Sequence, residues 1–151
     1  MKKQEDKLLG SYYTPFRTVR FMRDYLAREH KIYEKVLEPS VGDGRFVDAF
    51  EKEENLQSFV AVELIEEKVR QLRNKRYSER VEIVADDFLN FSEKTNEKYQ
   101  LIIGNPPYIN IKNMEDDSKE KAREICEKYQ LPSSLMQNMW VAFVLAAVSC
   151  L

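Results

Sequence analysis

The sequence predicts an α/β fold, a mostly parallel sheet with helices on both faces. Three observations carry that expectation. Short runs rich in apolar and β-branched residues alternate with stretches whose apolar residues recur at helical spacing. The alternation is nearly one for one, the order a parallel sheet with crossover helices requires. The unusual glycine, proline and acidic residues fall just after the runs, at strand C-terminal ends, where such sheets bind ligands.

Taken in order, Thr14 is placed to cap a first helix with Pro15 at its first position. Phe16, Val19, Met22 and Leu26 then share one face. His30, the only histidine, falls in that helix's last turn and would answer its dipole. Residues 35–38 read as a strand and 45–51 as a helix with Phe46, Val47 and Phe50 inward. Residues 58–63 form a second strand, 66–75 a helix carrying Val69 and Leu72, and 81–85 a third strand. The polar stretch 92–100 reads as a loop, and 101–104 as a buried fourth strand. Residues 112–129 read as a solvated helix with Ala122, Ile125, Cys126 and Tyr129 at helical spacing. Pro132 breaks the chain, and Ser133 or Ser134 can cap a last helix. That helix is apolar nearly all round and expects cover on more than one side. Four strands are few for an open sheet, so the sheet reads as cut short after the fourth strand and its helices.

At 151 residues the chain is one domain with a sizeable core, and 43% apolar with 33% charged residues excludes a disordered chain. Residues 1–6 are basic then acidic with no apolar run behind them, so no secretion signal is expected. The apolar stretch 139–151 is shorter than the roughly 20 residues a membrane span needs, so a cytoplasmic protein without membrane contact is expected. Cys126 and Cys150 read as free thiols, and with a single histidine no metal site is expected. The net charge of −2 lacks the basic footprint of a stand-alone DNA binder.

Four segments carry chemistry. The first strand runs into Glu38-Pro39-Ser40-Val41-Gly42-Asp43-Gly44-Arg45-Phe46. Its two glycines permit a tight turn and close ligand approach, and the next helix points its N-terminus at that ligand. No Gly-Lys-Ser/Thr follows, which excludes a P-loop. Glu63 ends the second strand, where a carboxylate can accept both hydroxyls of a ribose. Asp86-Asp87-Phe88 ends the third, joining an acceptor for an exocyclic amine to an aromatic for a purine face. Asn105-Pro106-Pro107-Tyr108 ends the fourth: an amide, two stiff prolines and an aromatic make a clamp for a flat, hydrogen-bonding group. Together they suit a nucleoside with an amino-acid arm.

This order resembles the gamma class of S-adenosylmethionine-dependent amino-methyltransferases acting on adenine in DNA. Gly10-Ser11-Tyr12-Tyr13-Thr14-Pro15 is similar to that class's N-terminal motif at the methionine arm. Residues 37–46 resemble its main cofactor loop, Glu63 its ribose acid, Asp87-Phe88 its adenine clamp and Asn105 to Tyr108 its catalytic tetrapeptide. The resemblance implies a Rossmann-like methyltransferase fold. It also implies S-adenosylmethionine held by Tyr13, Thr14, Pro15, Glu38, Pro39, Ser40, Gly42, Gly44, Phe46, Glu63, Asp87, Phe88 and Asn105. Catalysis falls to Asn105, Pro106, Pro107 and Tyr108. Residues 1–151 would be part of a catalytic domain without its target recognition domain. Double-stranded DNA would then be contacted largely through regions outside the chain, with a restriction or specificity subunit or fused domain as a further partner.

Two alternatives stay open. Asn-Pro-Pro-Tyr also serves enzymes that methylate a glutamine of translation release factors, where an amide nitrogen poses the same lone-pair problem. Those enzymes carry an Asp-Leu-Gly-x-Gly-x-Gly loop and lack Tyr-Tyr-Thr-Pro, which this chain has. The chain could also bind cofactor without being active alone.

Overall fold

The computed structural model describes residues 13–29, 33–114, 116–135 and 137–151. Residues 10–12 of the N-terminal motif, and His30, lie outside them. In chain order the elements are α1 (Phe16–Arg28), β1 (Lys35–Glu38), α2 (Arg45–Phe50), β2 (Ser58–Glu63), α3 (Glu66–Asn74), β3 (Val81–Ala85), α4 (Phe88–Lys94), β4 (Leu101–Ile102), α5 (Asp116–Lys128) and α6 (Met139–Ser149). Short 3-10 turns occupy Ile111–Asn113 and Ser133–Leu135.

The four strands form one parallel sheet in the order β3-β2-β1-β4. Leu37 of β1 pairs with Val60 on one side and Ile102 on the other. The order therefore reverses between β1 and β4, and the loops that leave these two strands part there, opening a crevice at their C-terminal ends.

The two-residue period of the strands divides the core. Val36, Phe59 and Ala61 pack on one face with Val19 of α1, Phe46, Val47 and Phe50 of α2 and Leu72 of α3. Leu37, Val60 and Val62 pack on the other with Phe88 and Leu89 of α4, Ala122, Ile125 and Cys126 of α5, and Ala142, Phe143 and Ala146 of α6. Both cysteines are free and buried in this second layer, and burial pushes both thiols up. No helix among the described residues is long and apolar enough to cross a membrane.

Several elements differ from the sequence reading. Helix α4, too short for periodicity to reveal, begins right after the third strand and runs into the stretch read as a loop. It forms because Asp87 caps it, accepting from the Leu89 N–H at 2.9 Å, and because Phe88 and Leu89 are buried. β4 pairs over two residues only, although the Ile103 N–H still reaches the Leu37 carbonyl at 3.0 Å. Helix α1 starts at Phe16, with Pro15 rather than Thr14 at its cap. Of the shared face, Val19 is buried but Phe16 is 53% exposed, its ring 4.9 Å from the Arg45 guanidinium carbon. Tyr129 lies beyond the end of α5 and is exposed. Asn138, not a serine, caps α6, accepting from the Trp140 N–H at 3.2 Å. Among the described residues α6 is covered on one side only, leaving Trp140, Val144 and Val148 exposed.

Candidate functional site

The crevice is a cleft, open to solvent, at the C-terminal ends of the strands. Its floor is the loop after β1. Gly42 (φ +60°) and Gly44 (φ +83°) are both left-handed, the region that favours glycine. Their roles differ. Gly42 faces the cleft, where an added Cβ would lie 3.3 Å from the Tyr13 ring. Gly44 faces away, and a Cβ there would lie 2.5 Å from the Tyr77 hydroxyl and 2.7 Å from Leu72. Behind it, Lys75 donates to the Asp43 carbonyl at 2.7 Å and to Asp48 at 3.0 Å, and Tyr77 donates to Asp48 at 2.7 Å. Gly44 thus shapes the loop without lining the cleft. Gly44→Ala combines left-handed strain with overpacking and is expected to cost roughly 2–4 kcal/mol. Thermal melting checks this, with an expected fall of roughly 5–15 °C.

Glu63 holds the loop in place. One carboxylate oxygen accepts the Gly42 N–H and the other the Ile65 N–H, both at 2.9 Å. The residue thereby ties the turns after β1 and β2 together while lining the cleft.

Glu38 is fully buried at the base of the loop, and its Oε2 has no hydrogen-bond partner among the described residues. Burial, with the nearby carboxylates of Asp43, Glu63 and Asp48, holds its carboxyl well above the usual range, opposed by Lys75. The fold therefore favours the neutral acid. Its contribution to stability is full below the ordinary value of 4.5 and is lost as pH rises through the raised folded value. Glu38→Gln does not titrate. Its ligand-free stability relative to Glu38 should therefore improve steadily as pH rises above 4.5. Melts from acid to neutral pH check this, and parallel curves would refute it.

After β3, Asp87 and Phe88 line the cleft. Asp87 is buried and also structural, since besides capping α4 it accepts from the Ser118 hydroxyl of α5 at 3.0 Å. The Phe88 ring meets Phe143 of α6 at 5.1 Å between centroids.

After β4, Asn105 and Pro107 line the cleft. The Ser40 hydroxyl donates to the Asn105 carbonyl at 3.0 Å, joining the loops that part at the switch point. Beyond the tetrapeptide, the Met139 N–H bonds the Ile109 carbonyl at 2.9 Å, so the start of α6 holds the segment.

The structure thus gathers Tyr13, Thr14, Glu38, Pro39, Ser40, Gly42, Phe46, Glu63, Asp87, Phe88, Asn105 and Pro107 around one cleft. It leaves four other candidates off the lining. Pro15 caps α1, Gly44 backs the loop, Pro106 lines a neighbouring groove against α6, and Tyr108 stands 56% exposed. The cleft also contains residues the sequence reading did not single out: Asp43, Arg45, Lys68, Met139 and Phe143. Arg45 directly follows the second glycine and Lys68 lies five positions past the end of β2, a placement that could have flagged them. Met139 and Phe143 carried no signal beyond apolar character. Among the described residues no group of three or more His, Cys, Asp or Glu could hold a metal ion.

A family model described as Eco57I restriction-modification methylase matches residues 7–151. The Type II methyltransferase M.CvrRI of Paramecium bursaria Chlorella virus XZ-6E is 32% identical over 111 residues, which are 72% of this chain and 27% of that protein. The chain therefore spans about a quarter of that relative's length. Among solved structures, a protein named as methyltransferase yhhF from Escherichia coli superposes with a TM-score of 0.55 at 15% identity, over 65% of this chain and 55% of that one. A protein named as an RNA methyltransferase from Pyrococcus horikoshii superposes with a TM-score of 0.52 at 18% identity, over 67% and 48%. At such identities the likeness speaks for the fold, which is a Rossmann-like α/β methyltransferase fold.

Proposed function

Because the chain belongs to the Eco57I restriction-modification methylase family, we propose that it transfers a methyl group from S-adenosylmethionine to the N6 amine of adenine in DNA. The observation that carries this reading is the shared cleft. Asn105 and Pro107 line the same space as Gly42 and Glu63, at the sheet's switch point.

The cleft's donor set fits the cofactor. The Oε2 of buried Glu38, without a hydrogen-bond partner among the described residues, offers an acceptor to the ammonium of an amino-acid arm, whose positive charge would favour the carboxylate form there. Gly42 leaves room for close approach, Glu63 retains lone pairs for ribose hydroxyls, and Asp87 with Phe88 suits the adenine. When bound, S-adenosylmethionine supplies an electrophilic methyl group on a sulfonium.

The chain's own residues would supply the activated amine. The lone pair of an adenine N6 amine is delocalised into its ring, so the amine is a poor nucleophile. The Asn105 side-chain oxygen and the Pro106 carbonyl would accept its two hydrogens and draw it toward tetrahedral geometry, localising the lone pair. Pro106 and Pro107 fix their φ angles, so the acceptors are preorganised. The exposed Tyr108 is available to stack on a base flipped out of the duplex. Residues 1–151 act in this reading as a cofactor-binding catalytic domain. The net charge of −2 favours placing most DNA contacts on further regions or a partner subunit. The family and the viral relative favour DNA over the glutamine alternative.

The test is transfer of labelled methyl from S-adenosylmethionine to adenine-containing duplex DNA and, in parallel, to a glutamine peptide. N6-methyladenine in the nucleoside digest supports the reading. Label on the peptide moves it to the alternative. Cofactor binding without transfer identifies a chain that binds but does not act alone.

A further inference from the structure

One side chain joins the glycine loop to the segment ahead of α1. Arg45, the first residue of α2, donates through Nη1 to the Thr14 carbonyl at 2.8 Å and through Nε to Asp43 Oδ2 at 2.7 Å. Its guanidinium carbon lies 4.9 Å from the centroid of the Phe16 ring and 5.6 Å from that of Tyr13. From α3, the Lys68 ammonium lies 5.4 Å from the same Tyr13 centroid. The Tyr13 ring in turn passes over Gly42, within 3.3 Å of where a Cβ would stand.

Core burial does not explain this placement. Tyr13 and Phe16 remain 41% and 53% exposed, so residues 13–16 are held across the cleft chiefly by directed polar and cation–π contacts. Among the described residues, Arg45 supplies most of them. A guanidinium can bridge two acceptors in one plane while presenting a face to aromatic rings, and a lysine ammonium cannot. From this geometry we infer that Arg45 is a positioning residue that latches residues 13–16 over the cleft and sets how long the cofactor stays bound. The inference rests on the cofactor assignment above and deepens it.

The test compares wild type, Arg45→Ala and Arg45→Lys in three readouts: stopped-flow release of S-adenosylhomocysteine, hydrogen exchange over residues 13–20 in ligand-free protein, and melting temperature. Arg45→Ala should release the ligand roughly tenfold to a hundredfold faster, as expected for losing hydrogen bonds to a charged donor. Exchange over 13–20 should quicken while β1 and β2 keep their protection. Melting should move by no more than about 4 °C. Arg45→Lys should fall between the two, and it carries the test if the alanine variant does not fold. Unchanged release and exchange in Arg45→Ala would overturn the latch. So would an Arg45→Lys variant indistinguishable from wild type, because charge alone would then suffice. A folded wild-type chain that binds no S-adenosylhomocysteine removes the cofactor assignment, while exchange over 13–20 still judges the latch.

Discussion

Replacing Asn105 with alanine is expected to slow methyl transfer by about 100- to 1,000-fold or more, the loss typical of deleting one preorganised group that acts only at the transition state. Cofactor affinity should change by less than about threefold. The separation follows from what the substitution leaves in place. The Asn105 backbone carbonyl still receives the Ser40 hydroxyl, so the loop after β4 keeps its register against the loop after β1. The Gly42–Glu63 bond is untouched. The side-chain acceptor proposed to face the amine is lost. Single-turnover transfer set beside calorimetric cofactor titration reads the two quantities independently. An equal loss in both would mean that Asn105 holds cofactor rather than activating the amine.

Glu63→Ala should show the opposite pattern. Its carboxylate accepts two backbone N–H groups and is the proposed acceptor for the ribose. Alanine strands both donors at the cleft wall and removes the ligand's partner. Hydrogen bonds to a charged group contribute about 1.5–3 kcal/mol each, so cofactor affinity should fall roughly 100-fold and stability should fall with it. Glu63→Gln retains one acceptor oxygen and should lie between the two, since its amide NH₂ cannot accept from a backbone N–H. At saturating cofactor, transfer by Glu63→Ala should recover much of the wild-type rate. Normal binding with transfer lost would reverse the roles assigned to Glu63 and Asn105.

The strands β1, β2 and β3 were legible to their end residues. Each is a short run of apolar and β-branched residues bounded by turn chemistry; β1 and β2 are buried, while β3 is a half-exposed edge strand. The two left-handed glycines were legible as a pair, but their division of labour was not. What fills the space beside Gly44 is Tyr77, more than thirty residues away, and no local pattern announces that contact. Helix α4 escaped because its stability comes from the Asp87 cap and from Phe88 and Leu89 meeting α5 and α6, not from periodicity. Phe16 fell on the apolar face of α1 by spacing. It is instead exposed beside Arg45, a long-range contact that a hydrophobic pattern cannot encode. The same limit applies to Met139 and Phe143. A helix apolar nearly all round does not reveal which of its sides will wall a cleft.

The placement of the two thiols gives the protein a one-sided clock. Cys126 and Cys150 both lie buried in the layer built from α4, α5 and α6, and the layer of α1, α2 and α3 contains no thiol. Burial keeps both thiols in their unreactive form. A disulfide reagent can therefore consume them only when that half of the molecule opens, and its rate times the opening of one face while the other stays silent. Adding cofactor product to such a reaction would reveal, without a single substitution, whether ligand at the rim steadies the face that holds Phe88 and Phe143.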